Sequence, residues 1–167
     1  MEIIYCKMWK ISPLRILVSG VVKTCGPVAA IFAVGPIPSR IPLAIFFLWL
    51  LFWEMGAQNI PNDWAEIDED RLFEAKTLLV RYGASLAGSL AFLFLFLSTA
   101  TGLYIILHRS GPAPALAALI AGFFLLLKPG FRLMVPKSRS VDLVLFNLAS
   151  YYPLAILSIL TLDNLVL

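Results

Sequence analysis

The residues of this chain that are best suited to chemistry are acidic side chains crowded into one short stretch. Six of the ten Asp and Glu residues lie within the twelve positions 63–74. Carboxylate oxygens at this density suit a hard cation such as Mg²⁺, which keeps several waters and commonly bridges protein carboxylates to the phosphates of a substrate. The stretch therefore predicts a cation site, and a solvated acidic loop is the alternative.

The spacing of these acids indicates which of them can act together. On a helix that turns by about 100° per residue, four of the carboxylates share an arc of about 80° and the other two point elsewhere. The four are Asp63, Glu66, Asp70 and Glu74. Like charges placed in this way repel and weaken a helix. If one helix runs through the stretch from Asp63 onward, we expect a divalent cation or basic neighbours to offset the repulsion.

The rest of the chain has to position this stretch, and its composition is that of a membrane protein. Of the 167 residues, 60% are hydrophobic and only 14% are charged, and the mean hydropathy is +0.91. A soluble domain of this length could not bury so much apolar side chain. The net charge of +3 requires no nucleic-acid partner, because the basic residues lie mainly at the ends of apolar runs.

Five apolar runs are each about long enough to cross the hydrocarbon core, which takes a helix of about 20 residues. The runs are 16–34, 41–58, 82–107, 112–127 and 143–162. Strands are excluded because open strands cannot satisfy their backbone groups in lipid, and these runs do not alternate as barrel strands do. We therefore predict an all-α membrane protein with about five transmembrane helices, which form a single membrane domain over residues 1–167.

The distribution of Lys and Arg predicts which way these helices face. Ten of the thirteen lie at the N-terminal flank or in the second-to-third and fourth-to-fifth connections, which share one side of a five-helix layout. Only Arg40 and Arg109 lie on the opposite side, and Lys23 lies within the first run. This excess predicts that the acidic stretch faces the cytoplasm, at a bacterial-type inner membrane or a plasma membrane.

Two charged residues lie within the predicted helices. Glu54 precedes Asp63 by nine residues and Lys23 follows Arg15 by eight, so both lie roughly 12–14 Å from the cytoplasmic edge. Charges inside a membrane are costly, and they usually pair or line a cavity. We therefore expect Glu54 to line a substrate cavity and hypothesise that Lys23 pairs with it. The alternative is that the Lys23 side chain extends to the interface.

The sequence around the acidic stretch also carries a resemblance. Residues 62–83 closely resemble the second aspartate motif of the UbiA superfamily of membrane prenyltransferases, a D-x-x-D-x-x-x-D pattern followed by a basic stretch, a Thr and a Gly. The acidic positions fall on Asp63, Glu66 and Asp70. Residues 5–10 are similar to the family's Y-S-x-x-L-K element, and residues 145–154 are similar to its last helix.

The resemblance implies a function. Proteins of this superfamily hold a polyprenyl diphosphate through Mg²⁺ and transfer the prenyl group to a lipophilic acceptor, often an aromatic one such as a quinone precursor. By this resemblance Asp63, Glu66 and Asp70 would bind Mg²⁺. The weaker candidates for contact with the diphosphate are Asn59, Asn62, Arg71, Lys76, Tyr5 and Lys10. The resemblance assigns no residue of this chain to the chemical step itself.

The sequence departs from the family pattern in three ways. Glu66 stands where Asp is usual, and Glu74 stands where Gly is common. The third departure is that nothing in the 167 residues matches the family's first aspartate motif, and the five runs align with helices five to nine of nine. We therefore expect half of a UbiA-type bundle, with little or no transferase activity alone. A truncated product would account for this, and so would a split enzyme completed by an N-terminal half chain.

Two other classes of function stay open. A noncatalytic membrane subunit could keep the fold and only bind a ligand or a partner. A small transporter or cation channel could use the acidic stretch to collect ions. A transporter would place charges along a path through several helices, whereas the acids of this chain collect at one interface. The sequence therefore favours a transferase or a noncatalytic subunit.

Overall fold

A computed structural model describes residues 11–35, 39–134 and 140–166, and the described part of the chain is helical without strands. The α-helices are α1 Arg15–Val34, α2 Arg40–Trp53, α3 Ile60–Ala65, α4 Ile67–Leu72, α5 Leu78–Ser110, α6 Pro112–Gly122, α7 Lys128–Leu133, α8 Ser140–Ser150 and α9 Tyr152–Val166. Two π-helical turns, Glu54–Asn59 and Phe123–Leu127, join α2 to α3 and α6 to α7. Tyr5 and Lys10, two predicted site residues, lie outside the described residues.

Five helical segments of the described chain are long and apolar enough to cross a membrane. They are Arg15–Val34, Arg40–Ala65, Leu78–Ser110, Pro112–Leu133 and Leu143–Leu165. The prediction of an all-α membrane protein with five such helices is confirmed. The second and fourth segments end later than predicted, because helical hydrogen bonding continues past Gln58 and Leu127.

The two π-helical turns explain why these segments run on through a proline. Each turn ends two residues before a proline, Pro61 in α3 and Pro129 in α7. A proline has no N–H for the carbonyl four residues earlier, and its ring clashes with that carbonyl. Hydrogen bonds that span five residues, such as those from Ile60 to Met55 and from Lys128 to Phe123, widen the turn and accommodate the ring.

The core of the bundle lies along α5, which packs against α2, α6 and α7. Ala87, Ala91 and Leu95 lie on one face of α5 and are fully buried. Small residues let neighbouring backbones come close to this face. A side chain at Gly56, in the first π-helical turn, would meet the Ala91 carbonyl oxygen at 2.9 Å. The polar end of the second segment is therefore held tightly against α5.

The acidic stretch is two short helices rather than the single helix assumed from the sequence. Glu66 separates α3 from α4 with φ −93° and ψ 8°, outside helical geometry. The second helix ends at Leu72, and Glu74 then adopts a left-handed backbone with φ 55°. The prediction of four carboxylates on one helical face was wrong, because the break at Glu66 and the end of α4 redirect the side chains that follow.

The end of α4 is a Schellman motif. The Ala75 N–H donates to the Asp70 carbonyl at 2.8 Å, and the Glu74 N–H donates to the Arg71 carbonyl at 3.3 Å. A left-handed residue at this position is usually glycine, because a Cβ there crowds the following carbonyl. Glu74 therefore holds a backbone conformation that glycine would adopt at lower cost.

Candidate cation site at one end of the bundle

Two of the three predicted metal ligands lie together in the structure. Asp63 of α3 and Asp70 of α4 are both buried, with exposed fractions of 6% and 3%. The Arg15 guanidinium, at the start of α1, reaches both of them. Its Nη2 lies 2.5 Å from Oδ1 of Asp63 and 3.9 Å from Oδ2 of Asp70. Carboxylates from two short helices, α3 and α4, thus meet one buried cationic group.

Glu66 and Glu74, by contrast, are exposed. Oε1 of Glu66 accepts a hydrogen bond from Asn62 Nδ2 at 3.1 Å, within the same turn. Among the residues that the structure describes, no group of three or more His, Cys, Asp or Glu side chains is arranged to hold a metal ion. Glu66 as a third ligand therefore stays a prediction.

The buried pair of carboxylates continues into a line of polar contacts between α1 and the second segment. We call this line the polar ladder, and it has three rungs: Arg15–Asp63, Ser19–Asn59 and Lys23–Glu54. Its α1 members are spaced by four residues, which places them on one face of a helix. The Ser19 hydroxyl donates to Asn59 Oδ1 at 3.2 Å. The ladder therefore joins two membrane-length helices through polar side chains.

The π-helical turn sets the register of the polar ladder. Glu54 and Asn59 are five residues apart and lie at the two ends of this turn, whereas Asn59 and Asp63 are four apart. In an α-helix a spacing of five would turn Glu54 about 140° away from Asn59. Hydrogen bonds of the i→i+5 type make five residues equivalent to about one turn, so all three residues face α1.

The hypothesis that Lys23 pairs with Glu54 is confirmed. Lys23 Nζ lies 2.5 Å from Oε1 of Glu54 and 3.4 Å from Oδ1 of Asn59. The Glu54 side chain is only 8% exposed, whereas that of Lys23 is 55% exposed. Pairing offsets the cost of placing a carboxylate inside a membrane protein. That Glu54 lines a substrate cavity stays a prediction.

Of the residues predicted to contact a diphosphate, Asn59 belongs to the polar ladder. Its Oδ1 accepts from Ser19 and Lys23, and its Nδ2 donates to the Ile16 carbonyl at 3.4 Å. Arg71 and Lys76 are exposed on and after α4, where a diphosphate could reach them. Asn59 therefore holds α1 against the second segment, and the two basic side chains remain the better candidates for an anion.

The pair formed by Asp63 and Asp70 fits Mg²⁺. This ion is usually bound by one or two carboxylates, and it completes its six oxygen ligands with water and substrate phosphate. A buried pair of carboxylates matches that donor set, and it does not require a closed cage of protein ligands. The position that Arg15 Nη2 takes beside both carboxylates shows that a cationic group fits there.

Sequence reasoning missed Arg15, which it used only as a marker of membrane orientation. The available signal was the spacing of Arg15, Ser19 and Lys23, three polar residues at intervals of four in an otherwise apolar run. Such spacing indicates a polar helix face. It does not identify the facing residues, because the π-helical turn that aligns them has no simple sequence signature.

In the described part of the chain, five helices long and apolar enough to cross a membrane, with two buried carboxylates beside a buried arginine, define an integral membrane protein with an internal charged cluster. The chain belongs to the UbiA prenyltransferase family, whose sequence profile matches residues 1–151. This finding confirms the resemblance seen in the acidic stretch, and the chain is a membrane protein of the prenyltransferase type. No curated protein and no solved structure matches the chain.

Proposed function

We propose that this protein binds a polyprenyl diphosphate through Mg²⁺ at Asp63 and Asp70 and takes part in the transfer of the prenyl group to a lipophilic acceptor. The observation that supports the proposal most directly is the meeting of two buried carboxylates, from separate helices, at one cationic group. Membership of the UbiA prenyltransferase family supplies the class of substrate. An aromatic acceptor such as a quinone precursor is the finer proposal.

Each part of the site has a task in this proposal. Asp63 and Asp70 would hold the Mg²⁺, and Glu66 could approach from the exposed side. The bound metal would neutralise charge on the diphosphate as it leaves the prenyl group. Arg71 and Lys76 are exposed, and in this proposal they would attract and orient the diphosphate from the aqueous side.

An apolar cavity near this end of the bundle could receive the lipophilic part of a substrate. It has a volume of about 580 Å³ and is lined by residues of α1, α2 and α5, among them Leu17, Phe52 and Phe94. Ile16, which follows Arg15 directly in α1, is also among the lining residues. Apolar walls keep water from a reactive carbocation, so the cavity is consistent with a prenyl group beside the cation site.

Catalytic activity of the isolated polypeptide is a separate question from binding. The family's reaction uses two aspartate motifs, and the 167 residues contain only the second. We therefore expect little or no turnover from this polypeptide by itself, and turnover when a chain that carries the first motif is present. Turnover assays with and without such a chain separate two possibilities. A transferase half should turn over substrate only with the second chain, whereas a noncatalytic subunit should bind diphosphate without turnover in both assays.

The test of the proposal is binding of a non-hydrolysable prenyl diphosphate analogue to the purified chain in detergent. We expect binding that requires Mg²⁺ and falls by about tenfold or more in Asp63→Ala and in Asp70→Ala, because each loses one charged ligand. Glu69→Ala is the matched control, since Glu69 is an exposed acid of α4, and it should bind normally. Binding that ignores Mg²⁺, or an equal loss in all three variants, would count against the site.

A further inference from the structure

We infer that Arg15 occupies the metal position of the acidic site in the metal-free protein, and that it exchanges Asp63 for the substrate diphosphate when Mg²⁺ binds. The inference rests on the proposed function and adds a positioning residue to it. It starts from one contact: Arg15 Nη2 lies 2.5 Å from Oδ1 of Asp63, a carboxylate that the metal would also need.

The three side chains of this cluster are buried, so the charge of Arg15 acts mainly on the two carboxylates. The side chains of Arg15 and Asp63 are each 9% exposed, and that of Asp70 is 4% exposed. A pair of carboxylates this well buried is unfavourable unless a positive charge accompanies it. In the metal-free protein Arg15 supplies that charge, because its Nη2 lies beside both acids before any metal arrives.

A divalent cation cannot share this position with a guanidinium. A metal bound to Asp63 would lie close to Arg15 Nη2, and like charges a few ångströms apart in a buried site repel strongly. Arg15 must therefore move when the metal enters. A long flexible side chain allows this without movement of α1, which Ser19, Asn59 and Lys23 continue to hold.

The chemistry of the released side chain indicates where it goes. A guanidinium binds phosphate oxygens as well as it binds carboxylate oxygens, and often through two parallel hydrogen bonds. The diphosphate is the anion that would arrive with the metal, and its oxygens would accept hydrogen bonds from a guanidinium. Arg15 therefore passes from an internal anion to the substrate, and the positive charge stays within the site.

If this exchange occurs, Arg15→Gln should strengthen binding of the metal and weaken binding of the diphosphate. Without diphosphate, the variant should bind Mn²⁺, used as a spectroscopic substitute for Mg²⁺, about tenfold more tightly than wild type, because no cation competes. At saturating metal it should bind the prenyl diphosphate analogue about tenfold more weakly, because one charge-assisted contact is lost. Free Mn²⁺ measured by electron paramagnetic resonance and analogue binding at fixed Mg²⁺ give the two values.

Arg132→Gln is the matched control, because it removes the same charge from an exposed residue at the end of α7. It should change neither value appreciably. Weaker Mn²⁺ binding by Arg15→Gln would mean that Arg15 supports the metal rather than competing with it, and would overturn the inference. If Arg15→Gln binds the diphosphate analogue as tightly as wild type does, then Arg15 does not contact the diphosphate, and the inference is wrong.

A measurement on the wild-type protein covers the case in which Arg15→Gln does not fold. Modification of arginine by phenylglyoxal, mapped by mass spectrometry, should be slow at Arg15 without metal. It should rise several-fold relative to Arg132 with Mg²⁺ and fall again when the diphosphate analogue is added. A rate of modification at Arg15 that Mg²⁺ leaves unchanged would overturn the inference.

The same measurements separate the inference from the proposed function. If the wild-type protein binds the analogue only with Mg²⁺ but the rate at Arg15 does not change, the proposed function still stands. If neither the wild-type protein nor Arg15→Gln binds the metal, both the inference and the proposed function are wrong.

Discussion

At the scale of single residues, the pairs of the polar ladder differ in how their members are exposed. In the Lys23–Glu54 rung the carboxylate is buried, whereas more than half of the Lys23 side chain is exposed. Removing one member of an ion pair is costly mainly through the partner that remains buried and uncompensated. The two members of this rung should therefore differ in their contribution to stability.

We expect Lys23→Met to destabilise the protein by about 2–3 kcal/mol, because Glu54 is left buried without its cation. Glu54→Gln should cost only about 1 kcal/mol, because the exposed Lys23 can be solvated and can still donate to the amide oxygen at this position. Thermal or denaturant-induced unfolding in detergent measures both. The double variant should lose clearly less free energy of unfolding than the sum of the two single losses, because it leaves no buried charge uncompensated. Equal losses in the single variants would show that the burial difference does not matter.

At the scale of helices and turns, the sequence is informative about where apolar helices lie and uninformative about how they end. The five runs were predicted correctly because their hydropathy leaves no alternative in a membrane. The extension of the second segment through Pro61 was not predicted, since a proline ordinarily marks a helix boundary and the π-helical turn cancels that effect. The prediction of four carboxylates on one helical face was wrong because the helix breaks at Glu66 and the next one ends at Leu72, and the spacing of the acids indicates neither of these.

The Schellman motif after α4 allows a test of backbone strain beside the site. Glu74 holds a φ of 55° and is exposed, and left-handed backbone costs a non-glycine residue about 1 kcal/mol or somewhat more. Glu74→Gly should therefore raise the free energy of unfolding by about 0.5–1 kcal/mol, after allowance for the greater freedom of glycine in the unfolded chain.

Glu74→Ala is the control for that substitution, because it removes the same charge and keeps the Cβ. Unfolding in detergent should show no comparable gain for alanine. If alanine stabilises the protein as much as glycine does, then the benefit comes from removing a negative charge beside Asp70, and the backbone is not the cause.

At the scale of the whole molecule, the candidate site depends on contacts that no single segment contains. Arg15 comes from α1, Asp63 from α3 and Asp70 from α4, and a π-helical turn aligns α3 with α1. Sequence motifs identified the two acids because both lie in one short stretch. They could not identify the arginine, because its relation to the acids is fixed only when two membrane-length helices pack.

The orientation of the bundle is a prediction at this scale. The distribution of Lys and Arg predicts that Glu69 faces the cytoplasm and Ser110 faces the opposite side. Single cysteines at these positions, with Cys6 and Cys25 replaced by serine, allow a direct measurement. A membrane-impermeant maleimide applied to right-side-out vesicles should label Ser110→Cys and should label Glu69→Cys only after permeabilisation. The reverse pattern would place the acidic stretch outside.

The polar ladder also bears on how this protein enters the membrane. A lysine near the middle of a single helix costs about 2.5–3.5 kcal/mol when that helix is inserted alone, and α1 carries Lys23 while the second segment carries Glu54. Side by side, the two helices present a hairpin whose opposite charges already neutralise each other. Insertion of the hairpin is therefore less unfavourable than insertion of its two helices one at a time, because the ladder beside the candidate cation site pairs their charges.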